Sequence, residues 1–519
     1  MKRFFLNLYL LAGFVAIFTT GCRKQLEIAP RQSIDASDAL NSRDAIEAAI
    51  TNLYARLKSA RQYGRDMITH PTALSDNGFA TNKSGRLLPE ANNTQGAHFT
   101  GTVWTNSYPG INSINLILET LPTLNLSPGI SQVERDRWEG QLYFLRGLYY
   151  FDMMRVYAYI PGAVVASQDR GGVPLNLTGI ATAEAALAYK PSRAAIDDVY
   201  TQIVADLTLA NQMLLNPGLG VNLANKTAAQ GLLARVNLYR KNFSEGKRWA
   251  DSCINLAGSK IVTAATYVSN WRSATHGETL FQVVFATSGE NIGVNESLQT
   301  SFTTLVNPGN QLTTGGFGDL VPTLSLLTDL GLSIKGGMTT ANYGLNHVID
   351  TPLRSTDIRN FMYEPGTAGR GNIKIECTKF LGKNGFINLD NAPVFRISEA
   401  YLIRAEAQVA DGSTVSNPAN ALADLKVLKT RRYTDYTGSA QEASDNAMDP
   451  SQLFEEIIRQ RRIEFAFEGH RFFDLKRLGR DLVKSPHYNN VAFTDTRILA
   501  PIPQADVDGN SNLKQNAGY

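Results

Sequence analysis

Cysteine is scarce in this chain of 519 residues, which contains Cys22, Cys253 and Cys377 and no others. Three cysteines so widely spaced exclude a disulfide framework and a zinc-finger arrangement. Cys253 and Cys377 could still form one bridge in an oxidising compartment. We favour two separate buried thiols, because a bridge requires neighbouring Cα atoms and the sequence gives no sign that these two residues meet.

The short motifs of common enzyme classes are also missing. None of the six histidines forms HExxH, and the chain has no GxSxG, no GxxxxGK[ST] and no EF-hand loop. The net charge of +3 is small, and no basic run is interleaved with aromatic residues. We therefore predict a protein that is not an enzyme, uses no cofactor or metal ion and binds no nucleic acid. A glycan hydrolase stays as an alternative, since its two carboxylates can lie far apart in sequence.

Long apolar runs are absent apart from Phe4–Phe18, which is too short to span a bilayer as a stable helix. This run follows a positively charged start and leads into Thr-Thr-Gly-Cys, ending at Cys22. The pattern resembles a bacterial lipobox, although Thr19 stands where that motif usually has leucine. It predicts a signal peptide over residues 1–21 and a lipid anchor on Cys22. A plain secretory signal is the alternative.

Apolar residues at helical spacing predict that most of the chain is α-helical. The helical stretches cover residues 35–60, 104–121, 133–160, 193–215, 225–257, 394–409 and 418–432. Residues 225–257 form a helical hairpin with small residues at close-packing positions, which is typical of tetratricopeptide helix pairs. The two last stretches form a second such pair.

Two regions lose this periodicity and are rich in glycine, asparagine and threonine, namely residues 63–100 and 260–390. Long loops on a rigid scaffold commonly carry binding residues. The candidate ligand residues on them are Asp76, Asn77, Phe79, Arg86, Phe317 and Tyr343. Phe79 is the strongest single candidate, although a small local cluster under the loop explains it equally well. The tryptophans Trp104 and Trp271 are assigned to packing.

The most ordered stretch is residues 457–480, which read IIRQRRIEFAFEGHRFFDLKRLGR. On a helical wheel Arg461, Glu464 and Glu468 lie on or beside the apolar face. Buried charges are costly unless they are paired. The two glutamates could be an acid–base pair in catalysis, or they could be partners of the neighbouring arginines. We favour the structural interpretation, because arginines at this density would keep both carboxylates ionised.

This interpretation predicts a structural ionic network of Arg461, Glu464, Glu468 and Arg471. Arg461 and Glu464 are three residues apart and could pair along one helix. Glu468 would then need a further cation, supplied by Arg462 or Arg471.

The block RRIEFAFEGHRFFDLKRLGR resembles the C-terminal signature of the SusD/RagB family of outer-membrane nutrient-binding lipoproteins. Four other elements are similar to that family and occur in the same order: DAIEAAITNLYARLK in the first helix, GGVP at 171–174, the Asp357 and Arg359 pair, and the ending PIP…QNAGY. On the residues alone, the Asp357 and Arg359 pair could equally cap a turn.

The resemblance implies a mostly α fold, in which tetratricopeptide-like helix pairs form a superhelical scaffold with a loop-rich lobe containing short β-strands. Residues 22–519 would be one SusD-like domain, with its scaffold at about 35–60, 102–257 and 393–480 and its lobe at about 260–390. The implied function is capture of a glycan or other nutrient, for delivery to a SusC-like TonB-dependent outer-membrane transporter. The implied location is the outer membrane, by a lipid anchor facing the exterior. A scaffold lipoprotein that binds only protein partners is the alternative.

Overall fold

The computed structural model describes residues 40, 42–123, 130–215, 220–258, 260–334, 352–371, 373–383 and 385–519. Helices dominate these residues, and the strands are short. The predicted fold class is therefore confirmed: a helical scaffold carries an irregular lobe.

Eighteen α-helices lie in the described part of the chain. In chain order they are α1 (Arg43–Leu57), α2 (Asp66–Leu74), α3 (Leu88–Ala91), α4 (Thr102–Thr120), α5 (Gln132–Tyr157), α6 (Ala183–Ala188), α7 (Ile196–Met213), α8 (Lys226–Tyr239), α9 (Phe243–Ala257), α10 (Ala264–Arg272), α11 (Leu298–Phe302), α12 (Leu324–Asp329), α13 (Ile397–Ala407), α14 (Pro418–Arg432), α15 (Ala440–Asn446), α16 (Pro450–Glu464), α17 (Arg471–Arg477) and α18 (Gln504–Gly509).

The long helices pack one against the next, as in a helical repeat protein. Helix α5 contacts α4 and α7, α7 contacts α8, and α8 contacts α9. The series continues from α9 to α13 and from α13 to α14 and α16. Each helix thus buries its apolar face against its neighbours in the series, which is how stacked helix pairs build a continuous core.

Helix α5 lies at the centre of this core. A capping box fixes its start, where the Ser131 side chain accepts from the backbone N–H of Glu134 and the Glu134 carboxylate accepts from that of Ser131. From Gly140 to Tyr157 every residue except Tyr143 is buried. The aromatic side chains of this helix are therefore core, as the sequence predicts for such a stripe.

Helix α2 was not predicted, because it lies in the stretch 63–100 where helical periodicity is lost. All nine of its residues are buried, including the polar Asp66, Thr69 and His70, so no face of this helix is exposed to solvent. It also carries Pro71 inside the helix, which disfavours helix by propensity. Tertiary burial determines the conformation of this segment.

Eight strands lie in the described ranges, and they form four two-stranded antiparallel sheets. They are β1 (Gly78–Ala80) with β3 (Leu320–Pro322), β2 (Thr279–Val283) with β8 (Ala392–Arg396), β4 (Leu332–Ile334) with β5 (Pro352–Arg354), and β6 (Tyr363–Pro365) with β7 (Ile375–Cys377). The β2–β8 pair joins the two ends of the lobe, since the chain enters the lobe after β2 and returns to the scaffold through β8. We call this pair the neck. Fully buried on both strands, it fixes the lobe to the helices.

No helix in the described ranges is both long enough and apolar enough to cross a membrane. The apolar stretch Phe4–Phe18 and Cys22 lie outside the described residues.

Candidate functional site

The glutamates Glu464 and Glu468 lie in a buried cluster of eight charged groups, which we call the ionic cluster. It consists of four carboxylates and four cations: Glu278, Asp357, Glu464, Glu468, Arg359, Lys379, Arg396 and Arg432. The opposite charges are equal in number, so the cluster is neutral when all its members are ionised. Each of these side chains is almost completely removed from solvent.

Glu464 accepts hydrogen bonds from three arginines of three different segments. Arg432 Nε lies 2.9 Å from its Oε2, Arg396 Nη1 lies 2.9 Å from its Oε1, and Arg359 Nη1 lies 3.4 Å from its Oε2. Arg359 belongs to the lobe, Arg396 ends the neck and Arg432 ends α14. The carboxylate therefore ties the lobe to the scaffold.

Glu468 occupies the next position in the same cluster. It accepts from Lys379 Nζ at 2.7 Å and from Arg396 Nε at 2.9 Å. Arg396 thus bridges the two glutamates, because its planar fork of donors reaches both carboxylates.

The electrostatics of the cluster oppose a role in proton transfer. Burial alone would raise the pKa of Glu464, but Arg432 and Arg396 outweigh it and hold the pKa well below its usual value. The pKa of Glu468 is lowered in the same way, by Arg396 and Lys379 against burial. A general acid or base needs a pKa near the working pH. Both groups stay ionised at neutral pH, and this favours the structural interpretation.

The partners of the predicted network differ from those expected. Arg461 does not pair with Glu464: its Nη2 lies 3.1 Å from Asp474 Oδ1, on α17. Arg471 binds Asp76 instead of Glu468, with two contacts of 2.8 Å. The four predicted residues are thus all ion-paired, Arg461 with Asp474 of the next helix and the other three with partners in more distant segments. Helical spacing predicts the helix face on which these residues lie. It does not predict which other segments of the chain pack against that face.

Asp76 and Asn77, predicted as ligand residues, are occupied by the C-terminal arginines. Asp76 is held by Arg471 and lies 3.5 Å from Arg462, which keeps its pKa low in spite of its burial. Arg462 Nε also donates to Asn77 Oδ1 at 2.8 Å. Both side chains are buried and are engaged by arginines, which favours a structural role for them over contact with a ligand. They attach the segment that follows α2 to α16 and α17.

Phe79 lies in β1 and packs against two rings from the C-terminal region. Its ring centroid is 4.8 Å from that of His487 and 5.9 Å from that of Tyr488. Phe79 therefore belongs to a small local cluster of rings, which is the alternative given above for this residue.

Arg86 and Phe317, which are far apart in sequence, come together on the lobe. The guanidinium of Arg86 lies 4.4 Å from the centre of the Phe317 ring, and that of exposed Arg370 lies 3.9 Å from it. Arg86 is fixed by Asp319, with N–O distances of 2.9 and 3.1 Å. We call Arg86, Phe317, Asp319 and Arg370 the Phe317 patch. Arg86 and Phe317 are thus two predicted ligand residues from different loops that are in contact.

Short backbone contacts hold the Phe317 patch in place. The Phe317 amide donates to Thr300 Oγ1 at 3.0 Å, and the next amide, of Gly318, donates to the Thr300 carbonyl at 2.9 Å. Beside the patch lies a cavity of about 210 Å³. Its polar lining consists of Arg65, His70, Arg86, Glu90, Ser301 and Asp319. The sequence does not predict Arg370 as a ligand residue, because it is one of many arginines and lies in an irregular segment.

The remaining predicted site residues lie outside the described part of the chain or play no ligand role. Tyr343 and Cys22 are outside the described residues. Cys253 and Cys377 are both buried and free, so the interpretation as separate thiols is confirmed. Burial raises the pKa of the Cys377 thiol to about 12, which makes it a poor nucleophile. Among the described residues no group of three or more histidines, cysteines or carboxylates has a metal-binding arrangement.

Buried histidines should make this protein sensitive to mild acid. Burial lowers the pKa of His470 from 6.5 to about 4 and that of His98 to about 3. The unfolded chain therefore takes up these protons near pH 6.5, whereas the folded chain does not. We expect the urea midpoint to fall as the pH is lowered from about 6.5 to about 4. The double variant His98→Gln, His470→Gln should show a shallower fall, and a wild-type midpoint that is constant between pH 7 and 5 would contradict the argument.

Comparison with known proteins identifies the family. Residues 378–519 match the model described as "SusD family", and residues 25–238 match the one described as "Starch-binding associating with outer membrane". SusD-like protein P2 of Formosa agariphila is 24% identical over 500 residues, which cover 91% of this chain and 92% of that protein. The starch-binding protein SusD of Bacteroides thetaiotaomicron is 30% identical over 134 residues, 24% of this chain and 21% of that protein.

Solved structures have the same fold. A putative sugar binding protein from Bacteroides vulgatus superposes with a TM-score of 0.72 at 23% identity, over 93% of this chain and 99% of that one. A laminarin binding SusD-like protein superposes with a TM-score of 0.63 at 18% identity, over 92% of this chain and 100% of that one. The two family models match the N-terminal and C-terminal parts of the chain, and the neighbours span nearly all of it. The chain belongs to the SusD/RagB family.

Proposed function

We propose that this protein is a surface lipoprotein that binds a glycan or another nutrient on its lobe and delivers it to a SusC-like TonB-dependent transporter. It acts by binding and not by catalysis. Residues 1–21 serve as the signal peptide, and Cys22 carries the lipid that holds residues 22–519 at the outer membrane. The family and the starch- and laminarin-binding names of the relatives support the class of ligand.

The Phe317 patch is the observation that carries this proposal. Sugars are recognised by an aromatic face together with planar polar groups. The patch offers one half-buried ring and two guanidinium groups at the rim of a cavity, and the buried carboxylate of Asp319 holds Arg86 in place. Arg370 forms no ion pair with any described residue, so its donors are available to sugar hydroxyls. Movement of its side chain would open one face of the ring.

Removing the half-buried ring of Phe317 or the exposed guanidinium of Arg370 should weaken glycan binding. We expect Phe317→Ala and Arg370→Ala each to raise the Kd for the bound glycan by about tenfold, through loss of stacking or of a charged donor. Calorimetry or affinity electrophoresis against a panel of glycans would measure this. Each variant should unfold at nearly the same temperature as the wild type, since neither side chain is fully buried.

Phe361 provides a matched control, because it is 43% exposed and has Arg354 at 4.7 Å from its ring centre. Phe361→Ala therefore removes a similar cation–π pair elsewhere on the lobe and should leave the Kd unchanged. A folded wild-type protein that binds no glycan and no peptide would contradict the proposal and favour a scaffold that binds only proteins. Turnover of a glycan by the purified protein would favour the hydrolase.

The anchor makes a separate prediction. Cys22→Ala should move the protein from the membrane fraction to the soluble fraction, because the acyl chains on this one residue supply the attachment. Fractionation and partition into detergent would measure the change, and Cys253→Ala, at a buried thiol, should leave the protein with the membrane. If the Cys22→Ala protein stays membrane-bound, the lipid assignment is wrong.

A further inference from the structure

A second and larger cavity, of about 670 Å³, lies on the scaffold and away from the Phe317 patch. Its floor is the N-terminal half of α4, one wall is the segment 174–191, which includes α6, and the other wall is α18 with the residues that follow it. It shares no lining residue with the 210 Å³ cavity of the lobe. Cavities of this volume hold ligands of one or two sugar rings with their hydration.

The floor of this cavity is aromatic. The rings of Trp104 and Tyr108 meet at 4.8 Å, with an angle of 62° between their planes. Trp104 is 5% exposed and half-buried Tyr108 donates its hydroxyl to the Pro174 carbonyl at 2.8 Å. Tyr189 lies on the wall formed by residues 174–191, and 37% of its surface is exposed. Helix α6, which ends just before it, has no buried residue. The cavity is thus bordered by aromatic side chains from two segments.

Hydrogen bonds between the walls keep the cavity open. Asn112 binds both backbone groups of Ile180, with distances of 2.8 and 2.9 Å. Across the mouth, Asn510 Nδ2 donates to the Pro191 carbonyl at 2.7 Å, and Asn512 Nδ2 donates to the Lys190 carbonyl at 2.8 Å. These amide side chains are used to position the walls. A cavity held in this way is formed before any ligand arrives, which lowers the cost of binding.

One carboxylate on the wall has no such structural use. Asp506 is an exposed residue on this wall, and it makes no ion pair and no side-chain hydrogen bond with the described residues. Partial burial raises the pKa of Asp506 above its usual value. Lys190, on the facing wall, donates its Nζ to the Gly509 carbonyl at 2.5 Å. The carboxylate of Asp506 is therefore an acceptor on the cavity wall that no described side chain occupies.

We propose that this cavity is a second binding site for a neutral saccharide of one or two rings. A sugar has an apolar C–H face, which suits Tyr189 and Tyr108, and hydroxyl donors, which suit an unpaired carboxylate. An acidic ligand would be repelled by Asp506, and a purely apolar ligand would leave that carboxylate buried without a partner. The proposal shares with the proposed function only the class of ligand and does not depend on the Phe317 patch.

Fluorine NMR of protein labelled with 5-fluorotryptophan tests this site directly. The chain has four tryptophans, and Trp104 is the one that lines the cavity. Its resonance is assigned from the spectrum of Trp104→Phe. The probes are glucose, galactose, mannose, maltose, cellobiose and laminaribiose. We expect at least one of them to shift the Trp104 resonance in a saturable manner.

Variants then separate the two sites. Tyr189→Ala and Asp506→Asn should each raise the apparent Kd from this titration by about tenfold. Leu187→Ala, a matched exposed control on α6 that does not line the cavity, and Phe317→Ala should leave it unchanged.

The proposal is overturned if no neutral sugar of the panel shifts the Trp104 resonance, or if the shift persists unchanged in both Tyr189→Ala and Asp506→Asn. If only the second site is wrong, Phe317→Ala still raises the Kd for the glycan, and no sugar shifts the Trp104 resonance. If only the proposed function is wrong, Phe317→Ala leaves the Kd for the glycan unchanged, and the Trp104 resonance still shifts.

Discussion

Glu464→Ala is expected to lower the free energy of unfolding by about 3–5 kcal/mol, the usual cost of removing one partner from a buried ion pair. Glu464 is fully buried, and three guanidinium groups of the lobe, the neck and the scaffold converge on it. Without its carboxylate, these groups keep their positive charges in a site that water does not reach. Urea denaturation followed by circular dichroism would measure the loss. If the alanine variant does not fold, Glu464→Gln keeps the volume and removes only the charge.

Glu455 is the matched control, since it lies on the same helix, α16, and also pairs with an arginine. Its side chain is 56% exposed, and its partner Arg480 is also accessible. Exposed pairs contribute at most about 1 kcal/mol, so Glu455→Ala should be nearly neutral. A Glu464→Ala protein of unchanged stability that has lost ligand binding would reverse our interpretation and return the glutamate to a functional site.

Gly469→Ala is expected to cost more than about 3 kcal/mol, because two unfavourable effects add at this position. The residue has a φ of +82°, in the left-handed region that side chains disfavour. A Cβ atom here would also overlap the carbonyl oxygen of Met67, which belongs to the backbone of α2 and cannot turn aside. The change in thermal midpoint would measure the effect.

Gly412 separates these two effects. Its φ is +75°, but a Cβ atom there would meet no atom within 4 Å. Gly412→Ala should therefore cost only the conformational penalty of about 1–2 kcal/mol. Equal losses at both positions would show that the close approach of Gly469 to α2 contributes nothing.

The sequence predicts the scaffold well because its helices are long and strongly patterned. The stretch 104–121 is α4 (Thr102–Thr120), and 133–160 is α5 (Gln132–Tyr157). The predicted hairpin over 225–257 is α8 and α9, separated by a turn at Arg240–Asn242. In each of these, local spacing and tertiary burial favour the same conformation.

The candidate sites were less predictable, because they depend on which segments meet. Asp76 and Asn77 look like free polar loop residues in the sequence, and only the fold brings Arg462 and Arg471 onto them. The same reason explains Glu464, whose partner Arg396 is 68 residues away. Arg86 and Phe317 are recognisable in the sequence as a polar and an aromatic loop residue, but no local pattern reveals that they stack.

The neck has a consequence for how such proteins diversify. Because β2 and β8 are adjacent and antiparallel, the lobe between them begins and ends at nearly the same point on the scaffold. A segment with neighbouring ends can be lengthened, shortened or exchanged without changing the path of the helices around it. Arg359 and Lys379 limit this freedom, since they lie within the lobe and neutralise scaffold carboxylates. A transplanted lobe would therefore need to carry both cations with it, whatever ligand its loops recognise.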